Sequence, residues 1–101
     1  MIYYQIVKDY EITIHGHANY DEEGKDIVCA SVSTAIILTS NLIKRFDDLD
    51  LVEIHLDEGD FSIKPLKLNK RLSILLDNLI WTLKELEIQY PDYIKRSDSN
   101  V

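Results

Sequence analysis

Six apolar residues near the end of the chain constrain its fold most: Leu72, Leu76, Leu79, Leu83, Leu86 and Tyr90, spaced 4-3-4-3-4. That spacing keeps one stripe of an α-helix apolar along its whole length, so the segment from about Asn69 to Tyr90 must lie on a second layer. Pro91 ends it, because the residue before a proline is pushed out of the helical region. The second layer is expected from four short strands. Ile2 to Val7 alternates Ile2, Tyr4 and Ile6 with Tyr3, Gln5 and Val7, and Glu11 to His15 places Ile12 and Ile14 on one face with Thr13 and His15 on the other. Leu51 to Asp57 alternates Val52, Ile54 and Leu56, Glu58-Gly59 turns the chain, and Phe61 and Ile63 return until Pro65 stops the strand.

Between the hairpins, Asp26 is a good N-cap for a helix that runs to about Phe46 and becomes wet only at Lys44 and Arg45. Ile27 to Ile43 carries no formal charge, yet its 17 residues include several Ser and Thr. A membrane helix needs about 20 mostly apolar residues, so a buried central helix is the better reading. The order is then ββαββα. We expect an α+β sandwich, a mostly antiparallel four-stranded sheet with both helices packed on one face. With 101 residues it forms a single domain, and Lys95 to Val101 reads as a frayed tail. Ile74, Trp81 and Ile88 recur every seven residues on the far side of the last helix, a stripe with no use in an isolated two-layer domain and a candidate subunit contact.

Charge narrows the partners. Eleven Lys and Arg against 18 Asp and Glu leave a net charge of -7, which repels a phosphate backbone and attracts a basic protein. One cysteine excludes an internal disulfide and fits a reducing compartment. The opening Met-Ile-Tyr-Tyr-Gln-Ile-Val-Lys lacks the basic leader and long apolar run of a signal peptide, so a cytoplasmic, membrane-free protein is expected.

The reactive side chains gather where the second strand passes through a polar loop, His17 to Lys25, into the first helix. Cys29 falls at the third helical position, where free amides and the positive helix end favour a thiolate. A nearby histidine can hold the proton as imidazolium, and the Cys29 and Ala30 N–H groups can receive the oxyanion formed on an attacked carbonyl. A second reading uses His15, His17 and Cys29, with Asp21, Glu22 or Asp26 close by, as a small metal site. A lone buried cysteine is the plain structural alternative, and His55 reads as a partly exposed strand residue.

The run Gly16-His17-Ala18, then Gly24-Lys25-Asp26-Ile27-Val28-Cys29-Ala30, then Val32-Ser33, resembles the signature of the bacterial ribosomal-processing cysteine proteases. The specific motif spans residues 16 to 33, and Tyr90-Pro91-Asp92-Tyr93 extends a looser likeness over nearly the whole chain. The resemblance implies a cofactor-free cytoplasmic endopeptidase, acting as a homodimer, that trims the N-terminal extension of large-subunit ribosomal protein twenty-seven, a basic substrate. It implies His17 as general base and Cys29 as nucleophile, with Gly16, Asp26 and Ser33 as supporting positions. Asn19 and Ser31 stand where relatives often carry glycine, and small differences in loop and helix packing are expected from them. Ala18, Asn19, Tyr20 and Gly24 belong to a loop that can close over a peptide. Family cleavage after an aromatic residue requires an apolar pocket, for which Tyr20 is a candidate wall. A metal-binding module and a non-catalytic acidic ribosome-assembly protein remain the alternatives.

Overall fold

The computed structural model describes residues 1–22 and 24–97. Strand β1 (Ile2–Val7) and β2 (Glu11–His15) form the first hairpin, joined by a short 3-10 turn at Lys8–Tyr10. Helix α1 (Ile27–Arg45) follows, then β3 (Val52–Asp57), β4 (Asp60–Pro65), α2 (Lys70–Gln89) and β5 (Ile94–Arg96). The sheet order is β3-β4-β2-β1-β5. Period-two alternation sets its faces: Ile2, Tyr4, Ile12, Ile14, Val52 and Ile63 are buried towards the helices, while Tyr3, Gln5, Val7 and His15 are exposed.

The leucine stripe behaves as its spacing requires. Leu72, Leu76, Leu79 and Leu83 are fully buried, and Asn69 caps the helix by accepting from the Leu72 N–H at 2.7 Å. Helix α1 buries Val28, Val32, Ile36 and Ile43 on the same core. It is long and apolar enough to cross a bilayer, yet it packs on the sheet along one side only. Ile27, Ile37 and Leu38 stay exposed, so the helix is not buried all round as its composition suggested. At the far end, the buried Asp48 carboxylate accepts from Arg71 Nε and Nη2, both at 3.0 Å, clamping the exit of α1 to the start of α2.

The sheet has a fifth strand that the four-strand expectation lacks. After α2 the chain turns through Tyr90-Pro91-Asp92-Tyr93, and Ile94–Arg96 lies parallel to β1, pairing Ile2 with Ile94 and Tyr4 with Arg96. The Ile2 N–H donates to the Tyr93 carbonyl at 2.8 Å and the Ser97 N–H to the Tyr4 carbonyl at 2.9 Å. Residues 95 to 97 are therefore held rather than frayed, whereas the end of the expected tail, 98 to 101, lies outside the described residues. Three residues with one apolar side chain carry no periodicity of their own. Their partner is the opposite end of the chain.

Candidate active site

Gly16 ends β2 with a φ of +99°, a conformation L-residues avoid, and its N–H donates to the Gly59 carbonyl at 3.0 Å in the turn between β3 and β4. A side chain at Gly16 would also collide with the Met1 carbonyl, which crosses directly beneath it. The next residue, His17, is exposed and rests its imidazole on the Gly59 Cα. Ala18 is buried, and its N–H donates to Cys29 Sγ at 3.3 Å. Asn19 follows with a φ of +55°, the left-handed region that asparagine tolerates better than most residues and glycine best of all. Asparagine is therefore workable at this position.

One carboxylate joins this loop to the helix. Asp26 Oδ1 accepts from the Val28 N–H at 3.1 Å and the Cys29 N–H at 3.0 Å, and Oδ2 accepts from the Tyr20 N–H at 3.0 Å. Partial burial opposes its ionisation, but these bonds, led by that from Cys29, hold the acid below its usual range. The cysteine responds in the opposite direction. Burial pushes the Cys29 thiol up, and the adjacent Asp26 charge pushes further, against the Ala18 and Asn19 amides that favour the anion.

Two expectations are thereby corrected. The helix start does not favour the thiolate as its dipole alone would: burial first, and then the capping Asp26 carboxylate at the positive helix end, raise the thiol. Nor are the Cys29 and Ala30 N–H groups free for an oxyanion. The first is bonded to Asp26 Oδ1, and the second closes the first helical turn on the Asp26 carbonyl at 3.0 Å. The amides aimed at the sulfur come from the loop instead.

His17 and Cys29 open into one cavity of about 520 Å³, shared with Gly16, Asn19, Gly24, Asp26 and Ser33. Its apolar floor is Ile14, Val32 and Phe61, and its rim carries Asp21 and Glu58. Ile14 and Phe61 are directly paired across β2 and β4, so their shared face was readable from the alternation, although their place beneath the cysteine was not. Glu58 and Gly59, read in the sequence only as a turn, also line the cavity. Tyr20 does not serve as its wall. It packs edge-on against Tyr90 and Tyr93, with ring centroids 5.7 and 5.0 Å apart, and anchors the loop to the chain's C-terminal turn.

The metal reading fails on geometry. His15 lies on the outer sheet face and pairs with Asp60 Oδ1 at 3.0 Å, while Cys29 lies on the helix side. His55 pairs with Asp57 on that outer face at 3.0 Å, and Glu22 is taken by Lys25 at 2.7 Å. Among the described residues, no group of three or more His, Cys, Asp and Glu is gathered as a metal ion would need.

A cysteine at a capped helix start and a histidine lining the same cavity of an α+β sandwich are the groups a cysteine peptidase needs. The sequence pattern of the family described as cysteine protease Prp matches residues 1–95, and the chain belongs to that family. It is 28% identical over 96 residues to the ribosomal processing cysteine protease Prp of Bacillus subtilis (strain 168), covering 88% of this chain and 83% of the relative. Among solved structures it is similar to the essential ribosomal processing protease Prp of S. aureus with a covalently linked product peptide, at a TM-score of 0.85 and 28% identity, covering 96% of this chain and 98% of the other. The same S. aureus protease with a substrate peptide gives a TM-score of 0.79 at 27% identity and the same coverage. SMU.848 of Streptococcus mutans, at 23% identity and a TM-score of 0.71 over 95% of this chain and 90% of its own, shares the fold.

Proposed function

We propose that this cysteine protease removes the N-terminal extension of large-subunit ribosomal protein twenty-seven, with Cys29 as nucleophile and His17 as general base. The observation that carries the reading is the shared cavity: Cys29 and His17 both line it, together with the apolar Ile14, Val32 and Phe61. The S. aureus relative, with a peptide linked covalently in its structure, supports the same chemistry.

Burial and the adjacent Asp26 charge raise the Cys29 thiol, so a base is needed to make it a nucleophile. His17 takes the proton as the sulfur attacks the scissile carbonyl. The oxyanion meets the loop amides that face the sulfur, Ala18 first. Collapse of the tetrahedral intermediate breaks the C–N bond, His17 returns the proton to the leaving amine, and a thioester remains on Cys29. Water, deprotonated by His17, then releases the acid and restores the thiol. The cavity-rim carboxylates Asp21 and Glu58, with the net charge of -7, favour a basic protein substrate.

The enzyme acts as a homodimer in the cytoplasm. Ile74, Trp81 and Ile88 are 57%, 62% and 72% exposed on one side of α2, an apolar stripe that a second copy would cover. A single free cysteine suits a reducing compartment. Incubating the protein with the uncut ribosomal protein and weighing the products tests the reading. One new N-terminus with the native chain and none with Cys29→Ala is expected. Binding without cleavage by both proteins would leave a scaffold instead.

A further inference from the structure

We infer that Gly59, in the turn between β3 and β4, is a positioning residue for the His17 imidazole. The inference rests on the reading of His17 as the base. The turn is a two-residue loop, Glu58-Gly59, between the paired Asp57 and Asp60, and Gly59 adopts a φ of +73°. Its bare Cα is the surface on which the ring lies. A Cβ at this position would stand 2.6 Å from His17 Nε2 and 2.9 Å from Cε1. Carbon atoms pack at roughly 3.5–4.0 Å, so the ring and a side chain at residue 59 cannot share the space. The same residue also fixes the backbone that carries the ring, because its carbonyl accepts from the Gly16 N–H at 3.0 Å, one residue before His17. Ring and main chain are thus referenced to a single point, on a hairpin far from the sequence motif.

Between ring and turn, the ring must yield. The turn is pinned by the β3–β4 pairing on one side and by the pairing of His15 with Asp60 on the other, and Asp60 Oδ1 adds a bond to His15 Nδ1 at 3.0 Å. The imidazole is the free end of an exposed side chain and turns about two bonds. A side chain at residue 59 therefore displaces the base while the fold stays intact. A shift of about 1 Å in a catalytic group is worth up to roughly 10²-fold in rate.

The test compares Gly59→Ala with Gly59→Asn, the second tolerating positive φ so that backbone strain and steric displacement separate. Both add a Cβ. In each, the His17 ring resonances in heteronuclear NMR should move from their native positions, with the far-ultraviolet circular dichroism unchanged. Peptide cleavage should lose roughly 10- to 100-fold in kcat with little change in KM. In a His17→Ala background, adding Gly59→Ala should cost no further activity. Unmoved His17 resonances in a folded Gly59→Asn protein would overturn the inference, as would an equal loss of rate with and without the imidazole. A His17→Ala protein of native activity, with the ring still displaced in Gly59→Ala, would instead remove the base reading and leave the seat of the ring established.

Discussion

The N–H of Ala18 points at the sulfur of Cys29 across 3.3 Å, so the loop after β2 and the first turn of α1 meet at the reactive atom. The pair lie eleven positions apart along the chain, and the Asp26 carboxylate bridges loop and helix by accepting from Tyr20 on the first and from Val28 and Cys29 on the second. The donor facing the sulfur thus belongs to the loop, whereas those of the helix start are already bonded.

Alkylation of Cys29 should follow from the raised thiol. Because burial and the Asp26 charge raise the thiol, folded protein should react with iodoacetamide more slowly than a model thiol at pH 7, and the rate should climb through and beyond pH 9. A rate above the model thiol's at pH 6 would show a standing thiolate–imidazolium pair and refute this account.

Asp26 carries two opposed duties, and its substitutions should separate them. Asp26→Ala removes the cap and should cost about 1 kcal/mol in chemical denaturation, with the loop loosened at Tyr20. Its lowered carboxyl pKa contributes stability that is present above the unfolded carboxyl value of ~4 and is lost as pH falls through the lower folded value, so the acid limb of a stability profile should flatten in the variant. Asp26→Asn keeps an acceptor but loses the charge. It should lower the Cys29 thiol and speed alkylation at neutral pH, and a slower reaction would contradict the assigned cause.

The two histidines around Gly16 should behave unequally. His17→Ala should reduce turnover of an extension peptide by ~10²–10⁴, the usual worth of a positioned proton acceptor. His15→Ala, on the outer face beside Asp60, should change it far less. A chelator should leave the native enzyme unaffected. Equal losses in both variants together with chelator sensitivity would restore the metal reading.

Trp81→Glu should shift the protein towards monomer in analytical ultracentrifugation, by about 2 kcal/mol or more of association energy if the tryptophan anchors the contact. The residue is exposed on α2, so its charge should not disturb the core, and circular dichroism should stay native. An unchanged dissociation constant would place the subunit contact elsewhere.

Much of the fold was legible because its signals are local. The 4-3-4-3-4 stripe became the buried side of α2, and alternation sorted the faces of β1 to β4, since neighbours in sequence set both periods. Ile74, Trp81 and Ile88 lie outside the core, as their phase against the leucines required. Asp26 caps α1 and Cys29 stands in its first turn for the same short-range reason. β5 was not legible, because Ile94–Arg96 is recruited by hydrogen bonds to Ile2 and Tyr4 at the other end of the chain.

At the site, residue types came from the sequence and their state from the tertiary structure. The motif pointed to His17, Asp26 and Cys29, which the structure carries on one loop and one helix start. Whether the thiol is charged depends on how much water and which charges surround it, a sum over groups brought together only by folding. The same holds for the seat of His17, since Gly59 reaches it from a hairpin 42 positions further along the chain (59 less 17). Chain neighbours determine which groups are present and how each segment turns; packing between distant segments determines which amides stay free, which acids stay charged and where the base can point.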